Sequence, residues 1–203
     1  MGYLRLTRVV PARPRLGVGG LGQIGQGLSI EHRTIPDGDK GTAATITEMG
    51  RLSVAAAHDP KFVSWVRGQV ADLKSKDYVG EAKRIFEIVH NHVRYVQDPL
   101  GLEVVQDPRA VLFRDGSGDC DEHASTVAAM ALALGHRAAF RTVAADYDRP
   151  DQWSHVYALI GVQDPSQPDG IAWYPADTTQ RRATLGWEPP LGRVWKKKDW
   201  VVG

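Results

Sequence analysis

The sequence predicts an α+β fold in which helices precede an antiparallel sheet, and two patterns lead to this prediction. Between residues 46 and 134, apolar residues recur at three- and four-residue spacing in long stretches, as on amphipathic helices. After Gly135 the apolar period changes to two, and turn-rich segments separate the alternating runs. Helices followed by strands of this kind are typical of an α+β architecture.

Three segments carry the clearest helical patterns, over residues 60–74, 79–96 and 119–134. Asp119 is a suitable N-cap for the third helix, because its side chain can accept a hydrogen bond from a first-turn N–H group. Gly135 supplies the stop. The third helix is rich in alanine, so we expect it to pack closely against its neighbours.

Alternation predicts three strands, over residues 137–144, 154–162 and 171–176. If the last two strands pair as a hairpin, the end far from their connecting turn brings His155 and Asp177 side by side. A histidine held by a carboxylate is the arrangement that a general base needs.

The sequence predicts three regions. Residues 1–45 contain six glycines between Gly17 and Gly27, which predicts an irregular glycine-rich arm. Ordering such an arm costs roughly 1–2 kcal/mol per residue, so we expect it to be ordered only against a protein neighbour, as in a virion or another large particle. Residues 46–183 form the main domain with the chemical motifs, and residues 184–203 form a C-terminal tail.

The composition is that of a soluble globular protein. The 203 residues are 42% hydrophobic and 24% charged, with a formal net charge of +1, so we expect no nucleic-acid partner. No apolar run approaches the roughly 18 residues that a spanning helix needs, so we expect no membrane partner. Pro11 and Pro14 interrupt the segment in which a secretory signal would be continuously apolar. These observations predict a cytoplasmic protein.

Cys120 is the one cysteine, so a disulfide within the chain is excluded. The thiolate is the reactive form of cysteine, and a helix N-terminus favours it through unpaired N–H groups and the macrodipole. Cys120 lies in the first turn of the third predicted helix, and Gly116 and Gly118 would let a substrate backbone approach it. We therefore expect a nucleophile with a lowered pKa, although the charges of Asp121 and Glu122 oppose this shift.

Three ordered segments surround the candidate residues: Gly118-Asp119-Cys120-Asp121-Glu122-His123-Ala124, Trp153-Ser154-His155-Val156-Tyr157 and Trp173-Tyr174-Pro175-Ala176-Asp177-Thr178-Thr179. The set resembles the motifs of the transglutaminase-like superfamily over about residues 80–180. This resemblance implies a papain-like fold with Cys120 opening a helix and His155 and Asp177 on adjacent strands, in the three catalytic positions. It favours small microbial and phage-type proteases or amidases over large calcium-dependent cross-linking enzymes.

Papain-like sites stabilise the oxyanion with the N–H of the cysteine and a side-chain donor. The candidate donors are Tyr95, where the family often has an aromatic residue, Gln97 and Gln106. We expect four further residues to line the site, namely Asp119, Asp121, His123 and Trp153.

A zinc site is the main alternative reading of the same residues. His123 follows Cys120 by three positions, and the two residues with His155 and an aspartate offer metal-type ligands. A second cysteine is absent, so we expect no metal. The glycines Gly17 and Gly19 begin a G-x-G-x-x-G pattern, but prolines precede it in place of a buried strand, so we expect no dinucleotide cofactor.

These observations predict a cysteine hydrolase that cleaves an amide or peptide bond of a peptide or protein through a thioester. Two alternatives stay open. An amine in place of water would make the same site a protein-glutamine acyl transferase. A non-catalytic structural or adaptor protein of a larger assembly, such as a virion, could keep the same fold.

Overall fold

The computed structural model describes residues 3–11, 28–99, 102–190 and 193–203. The helices are α1 (Asp39–Ala57), α2 (Pro60–Gln69), α3 (Tyr78–His92), the single turn α4 (Pro108–Ala110), a π-helical turn at Val111–Asp115, and α5 (Cys120–Ala133). The strands are β1 (Tyr3–Pro11), β2 (Leu28–Pro36), β3 (Arg94–Tyr95), β4 (Leu102–Gln106), β5 (Ser117–Gly118), β6 (Arg137–Ala144), β7 (His155–Gln163), β8 (Ile171–Ala176) and β9 (Lys196–Val202).

The strands form three groups. The largest sheet has the order β8-β7-β6-β9, and each neighbouring pair is antiparallel. A second sheet has the order β2-β1-β4, with β1 antiparallel to β2 and parallel to β4. The short strands β3 and β5 form a parallel pair. Strand β5 ends at Gly118, just before α5 begins, and Tyr95 of β3 is in register with that glycine. The pair therefore lies next to the N-terminus of α5.

Helix α5 lies at the centre of the core, between the main sheet and the helices α1 and α3. Twelve of its fourteen residues are buried. Its alanines have small side chains, so the neighbouring elements approach the helix closely, as the composition predicts. The Ser53 hydroxyl donates to the backbone carbonyl of Ser125 at 3.0 Å and joins α1 to α5 across this contact.

The predicted α+β class is confirmed. Helices α2, α3 and α5 correspond to the three predicted helices, and β6, β7 and β8 correspond to the three predicted strands. Gly135 ends α5 with a positive φ of 87°, a conformation that favours glycine. Helix α3 ends earlier than predicted, because Val93 is extended and the chain continues into β3.

The N-terminal region differs from the predicted irregular arm over residues 1–45. Strands β1 and β2 form a paired unit that joins β4, and α1 begins at Asp39. The physical reason lies in the sequence itself, where apolar Leu4 and Leu6 alternate with polar neighbours at the strand period. The glycines that suggested irregularity, from Gly17 to Gly27, lie outside the described residues.

The C-terminal region also differs from the predicted separate tail over residues 184–203. Strand β9 pairs with β6 over the whole register from Ala138↔Val202 to Ala144↔Lys196. The main sheet therefore extends past residue 183, and its edge strand carries the lysine run of residues 196–198. The sequence pattern is weak here because charged residues occupy the first half of the strand.

None of the helices in the described ranges is both long enough and apolar enough to cross a membrane.

A buried ion pair joins α2 to the turn that follows β4. Asp107 is fully buried, and its carboxylate accepts hydrogen bonds from Arg109 at 2.6 and 2.8 Å. The same guanidinium donates to Asp59, the N-cap of α2, at 3.0 Å. Arg109 thus compensates a charge that the core would otherwise strongly disfavour.

We predict that Arg109→Ala lowers the free energy of unfolding by about 3 kcal/mol, because Asp107 would remain buried without its counter-charge. Urea denaturation followed by circular dichroism measures this change. The matched control is Arg67→Ala, at an exposed position on α2, which should change the free energy of unfolding by less than about 0.5 kcal/mol. Equal effects of the two substitutions would contradict the prediction.

Candidate active site

Cys120 is the first residue of α5, and two carboxylates fix the start of that helix. Asp119 is the N-cap, and its side chain accepts a hydrogen bond from the N–H of Asp121 at 3.0 Å. Glu122 reaches back to accept from the N–H of Asp119 at 2.9 Å, which completes a capping box. The other oxygen of Glu122 accepts from the N–H of Gln106 at 3.0 Å, so β4 is tied to the same helix turn.

His155 and Asp177 meet at the end of the β7–β8 hairpin, where the sequence places them. The register of the hairpin begins at Ala158↔Ala176, so Asp177 lies one position and His155 three positions beyond the last pair. Nε2 of His155 lies 2.8 Å from Oδ2 of Asp177. This contact occupies Nε2 and leaves Nδ1 of the imidazole for a second partner.

Asp177 is held as an anion by its surroundings. Burial alone would raise the pKa of this carboxyl, but His155 and two hydrogen bonds from Thr179 outweigh it, and the pKa lies below its usual value. The N–H and the hydroxyl of Thr179 donate to the second oxygen of Asp177 at 3.0 and 2.7 Å. The carboxylate is therefore fixed in position by the corner that follows β8.

The Cys120 thiol lies against the start of β7. The backbone N–H of Val156, the residue after His155, donates toward the sulfur and favours its anion. The thiol itself donates to Oδ1 of Asp121 at 3.7 Å. Cys120 and the His155–Asp177 pair thus lie at the same junction between α5 and the main sheet.

The pKa of Cys120 does not follow the expectation of a lowered value. Burial raises it most, and the charges of Asp121 and Asp119 raise it further, so that it lies well above the usual range. The N-terminus of α5 and the Val156 N–H act in the opposite direction but are outweighed. The resting thiol is therefore protonated at neutral pH.

A cluster of carboxyl groups surrounds the start of α5. Burial raises the pKa of Asp121, Glu122, Asp119 and Glu103, and the charges of neighbouring carboxylates add to this shift in Asp121, Glu122 and Glu103. Asp121 and Glu103 share a hydrogen bond in which the Asp121 carboxyl carries the proton. Burial, with the charges of Asp119 and Glu103, raises the pKa of Asp98 to about 7. The cluster therefore retains protons near neutral pH.

The three oxyanion candidates occupy different surroundings. Burial and then the charge of Cys120 raise the pKa of Tyr95 to about 12. The Gln106 side chain donates to the backbone carbonyl of Ser117 at 3.4 Å. Gln97 is exposed. Tyr95 is the candidate that interacts electrostatically with the Cys120 thiol.

His123 is buried, and its Nδ1 lies 2.8 Å from the Thr178 hydroxyl, next to Asp177. Burial lowers the pKa of His123 to about 4, so its imidazole is neutral at physiological pH. Trp153 lines a cavity together with His155. His123 therefore contacts the residue after Asp177, and Trp153 shares the lining of a cavity with His155.

Gly118 packs against the side chain of Glu122. A Cβ atom built there would lie 2.3 Å from Cβ of Glu122 and 2.4 Å from its Cγ. Any side chain would push Glu122 out of the capping box. Gly116 has a φ of 59°, which favours glycine for conformational reasons.

The zinc alternative has little support from donor geometry. Among the described residues, Asp119, Cys120 and Asp121 have donor atoms within 4.8 Å of one another, and His123 and His155 are not part of this group. Zinc sites of the Cys-His type depend on those imidazoles. The group is better described as the thiol and its neighbouring carboxyls.

Sequence reasoning missed two members of the carboxyl cluster, Asp98 and Glu103. Both lie between the second and third predicted helices, and no local pattern marks them as neighbours of α5. The bridging role of Glu122 had a signal, because an acidic residue three positions after Asp119 is the mark of a capping box.

We predict that Asp119→Asn lowers the pKa of the Cys120 thiol. Asparagine preserves the N-cap, while the substitution removes one of the charges that oppose the thiolate. The rate of iodoacetamide alkylation at pH 7 should therefore rise, and Cys120 is the one thiol that reacts. The control is Asp115→Asn, an exposed carboxylate before the helix. An unchanged rate in Asp119→Asn would contradict this account of the thiol.

We predict that Asp98→Asn stabilises the protein more at pH 8 than at pH 5. The folded pKa of about 7 exceeds the unfolded value, so the stability that the protonated carboxyl provides is lost as pH rises through 7. Asparagine keeps the acceptor for the N–H of Val104 and does not ionise. The gain at pH 8 should exceed the gain at pH 5 by about 1 kcal/mol in urea denaturation. Equal gains at both pH values would show that Asp98 does not titrate as described.

Comparisons with known proteins assign the chain to a family. The model of the transglutaminase-like superfamily matches residues 65–178, which is more than half of the chain. Similar solved structures include a proposed cysteine protease from Cytophaga hutchinsonii, with 16% identity and a TM-score of 0.45, over 70% of this chain and 40% of that one. Another is a proposed protease from Parabacteroides distasonis, with 14% identity and a TM-score of 0.45, over 84% of this chain and 39% of that one.

The chain thus spans about two fifths of the length of these two structures. No curated protein matches it. The family match covers α3, the start of α5 and both strands of the hairpin, and so includes Cys120, His155 and Asp177. The chain belongs to the transglutaminase-like superfamily.

Proposed function

We propose that the protein is a cysteine hydrolase that cleaves an amide or peptide bond through a thioester on Cys120. The observation that carries this proposal is the His155–Asp177 contact of 2.8 Å at the junction where the Cys120 thiol meets β7. A nucleophile, a base and a group that orients the base are the three parts that covalent acyl transfer needs.

The first step transfers the proton of the Cys120 thiol to Nδ1 of His155 as the sulfur attacks the substrate carbonyl. The C–S bond forms and the carbonyl oxygen takes the negative charge. The N–H of Cys120, which has no partner within its own helix, and the hydroxyl of Tyr95 are suited to stabilise this oxyanion. The C–N bond then breaks, and His155 returns the proton to the leaving amine.

Water completes the cycle. His155 takes a proton from the water as the water oxygen attacks the thioester carbonyl, and the sulfur leaves and regains a proton. Asp177 keeps Nδ1 directed toward the reacting atoms through its bond to Nε2, and its charge stabilises the imidazolium.

The raised pKa of Cys120 decides how the nucleophile is activated. Because the resting thiol is protonated, the base acts during attack, and no preformed thiolate–imidazolium pair is required. The carboxyl cluster also lowers the reactivity of the free enzyme toward oxidants and alkylating agents, since the thiolate is the form that reacts with them.

We predict that Cys120→Ala abolishes cleavage and that His155→Ala and Asp177→Asn lower kcat/KM by about 10³-fold or more. The measurement is mass spectrometry of new termini in a peptide library that includes glutamine peptides and peptidoglycan fragments. In the wild type, an acid quench should trap an acyl group on Cys120.

The matched control is His58→Ala, which changes a histidine that bonds to Val54 in its own helix and should leave kcat/KM within about twofold. Cleavage that persists in Cys120→Ala would overturn the proposal. Amine incorporation without hydrolysis would identify an acyl transferase with the same triad.

A further inference from the structure

A cavity of about 590 Å³ opens beside the His155–Asp177 pair. Both residues line it, and Cys120 is not among the described residues that do. The cavity therefore approaches the reacting atoms from the side of the base. Its volume lies in the range of ordinary ligand pockets.

The side of approach decides which half of the substrate the cavity receives. In the proposed reaction, His155 gives a proton to the leaving amine, so the amine half of the scissile bond must lie next to the imidazole. The acyl half stays on the sulfur. A cavity that reaches His155 but not Cys120 is therefore placed for the amine half.

Two tryptophans and two prolines build firm walls around this space, namely Trp153, Trp187, Pro189 and Pro190. The wall after β8 is anchored through Glu188, which accepts hydrogen bonds from Tyr157 at 2.7 Å and from Arg141 at 2.6 Å. The ammonium group of Lys196 lies 4.1 Å from the centre of the Trp153 ring.

The side chain of Arg193 differs from those of the other charged residues that line the cavity in having no ion-pair or hydrogen-bond partner among the described lining residues. Asp146 pairs with Arg149, whose guanidinium lies 3.0 Å away, and Asp177 is hydrogen-bonded to His155. Arg193 also lines the cavity, and within the described ranges no carboxylate forms a salt bridge with it. A guanidinium suits a carboxylate in particular, because it can donate two parallel hydrogen bonds.

We propose that this cavity is a specificity subsite for the amine half of the substrate, and that it selects a residue carrying a carboxylate through Arg193. The proposal rests on the proposed function for its direction of cleavage. The carboxylate is either an acidic side chain or the free C-terminus of the leaving peptide, and both present the same chemistry to the guanidinium.

The test uses peptide libraries with a randomised acyl half and a fixed residue after the scissile bond. The fixed residue is glutamate or glutamine in C-terminally amidated peptides, and alanine with a free or an amidated C-terminus in a second pair. We expect kcat/KM about fivefold higher for the carboxylate-bearing member of at least one pair. The pair that shows the preference identifies the source of the carboxylate, and absence of a preference in both pairs overturns the proposal.

Two variants connect the preference to Arg193. Arg193→Gln should abolish it, and Arg193→Glu should reverse it toward lysine at the fixed position. The matched control is Arg67→Gln on α2, which removes the same charge far from the lining residues and should keep the preference. A preference that survives Arg193→Glu would overturn the assignment of this residue.

A binding measurement separates this proposal from the proposed function. Cys120→Ala is titrated with glutamyl-alanine amide and glutaminyl-alanine amide, with tryptophan fluorescence as the readout because Trp153 and Trp187 line the cavity. Tighter binding of the glutamyl compound that Arg193→Gln removes supports the subsite even if no peptide is cleaved. Cleavage without any preference would support the proposed hydrolase and overturn the subsite. Absence of both cleavage and binding would overturn the two proposals together.

Discussion

The carboxylate of Glu122 holds together the parts on which the site depends. It is almost fully buried and accepts one hydrogen bond from the N–H of Asp119 and one from the N–H of Gln106. The first bond fixes where α5 begins and hence where Cys120 lies. The second joins β4 to that helix turn. The close packing of Gly118 on the Glu122 side chain leaves no room for another arrangement of the chain before the nucleophile.

This construction sets a conflict between structure and reactivity at Cys120. The same acidic residues that cap and anchor α5 oppose negative charge on the sulfur, and burial acts in the same direction. The conflict is reduced because the pKa values of the buried Asp121 and Glu122 carboxyls are raised. A carboxyl that keeps its proton carries no charge to oppose the thiolate. The Val156 N–H also reduces the conflict by donating toward the sulfur. A site of this kind favours activation by substrate binding over a permanently reactive thiol.

The sequence predicts the parts of this site that rest on local patterns. The helical stripe and the N-cap place Cys120 at the start of α5, and the strand alternation brings His155 to Asp177. The carboxyl cluster could not be predicted, because Asp98 and Glu103 approach α5 through tertiary packing that no local period records. The prediction of a lowered pKa for the Cys120 thiol was wrong because burial, which no local pattern records, raises that pKa most, and the charges of Asp121 and Asp119 raise it further. The glycines between Gly17 and Gly27 led to the prediction of an irregular arm in the region of β1 and β2. The lysine run of residues 196–198 hid the strand pattern of β9.

The position of β9 has a consequence for the order in which the molecule is assembled during synthesis. Strands β6, β7 and β8 follow one another along the chain, so that meander can form as soon as it leaves the ribosome. The second edge of β6 must wait for residues 196–202, and until then its backbone N–H and C=O groups are open to pairing with another chain. The His155–Asp177 pair belongs to the early part, whereas the cavity walls at Trp187 and Arg193 belong to the late part. A nascent molecule therefore acquires the proposed base before it acquires the surface proposed to select the substrate.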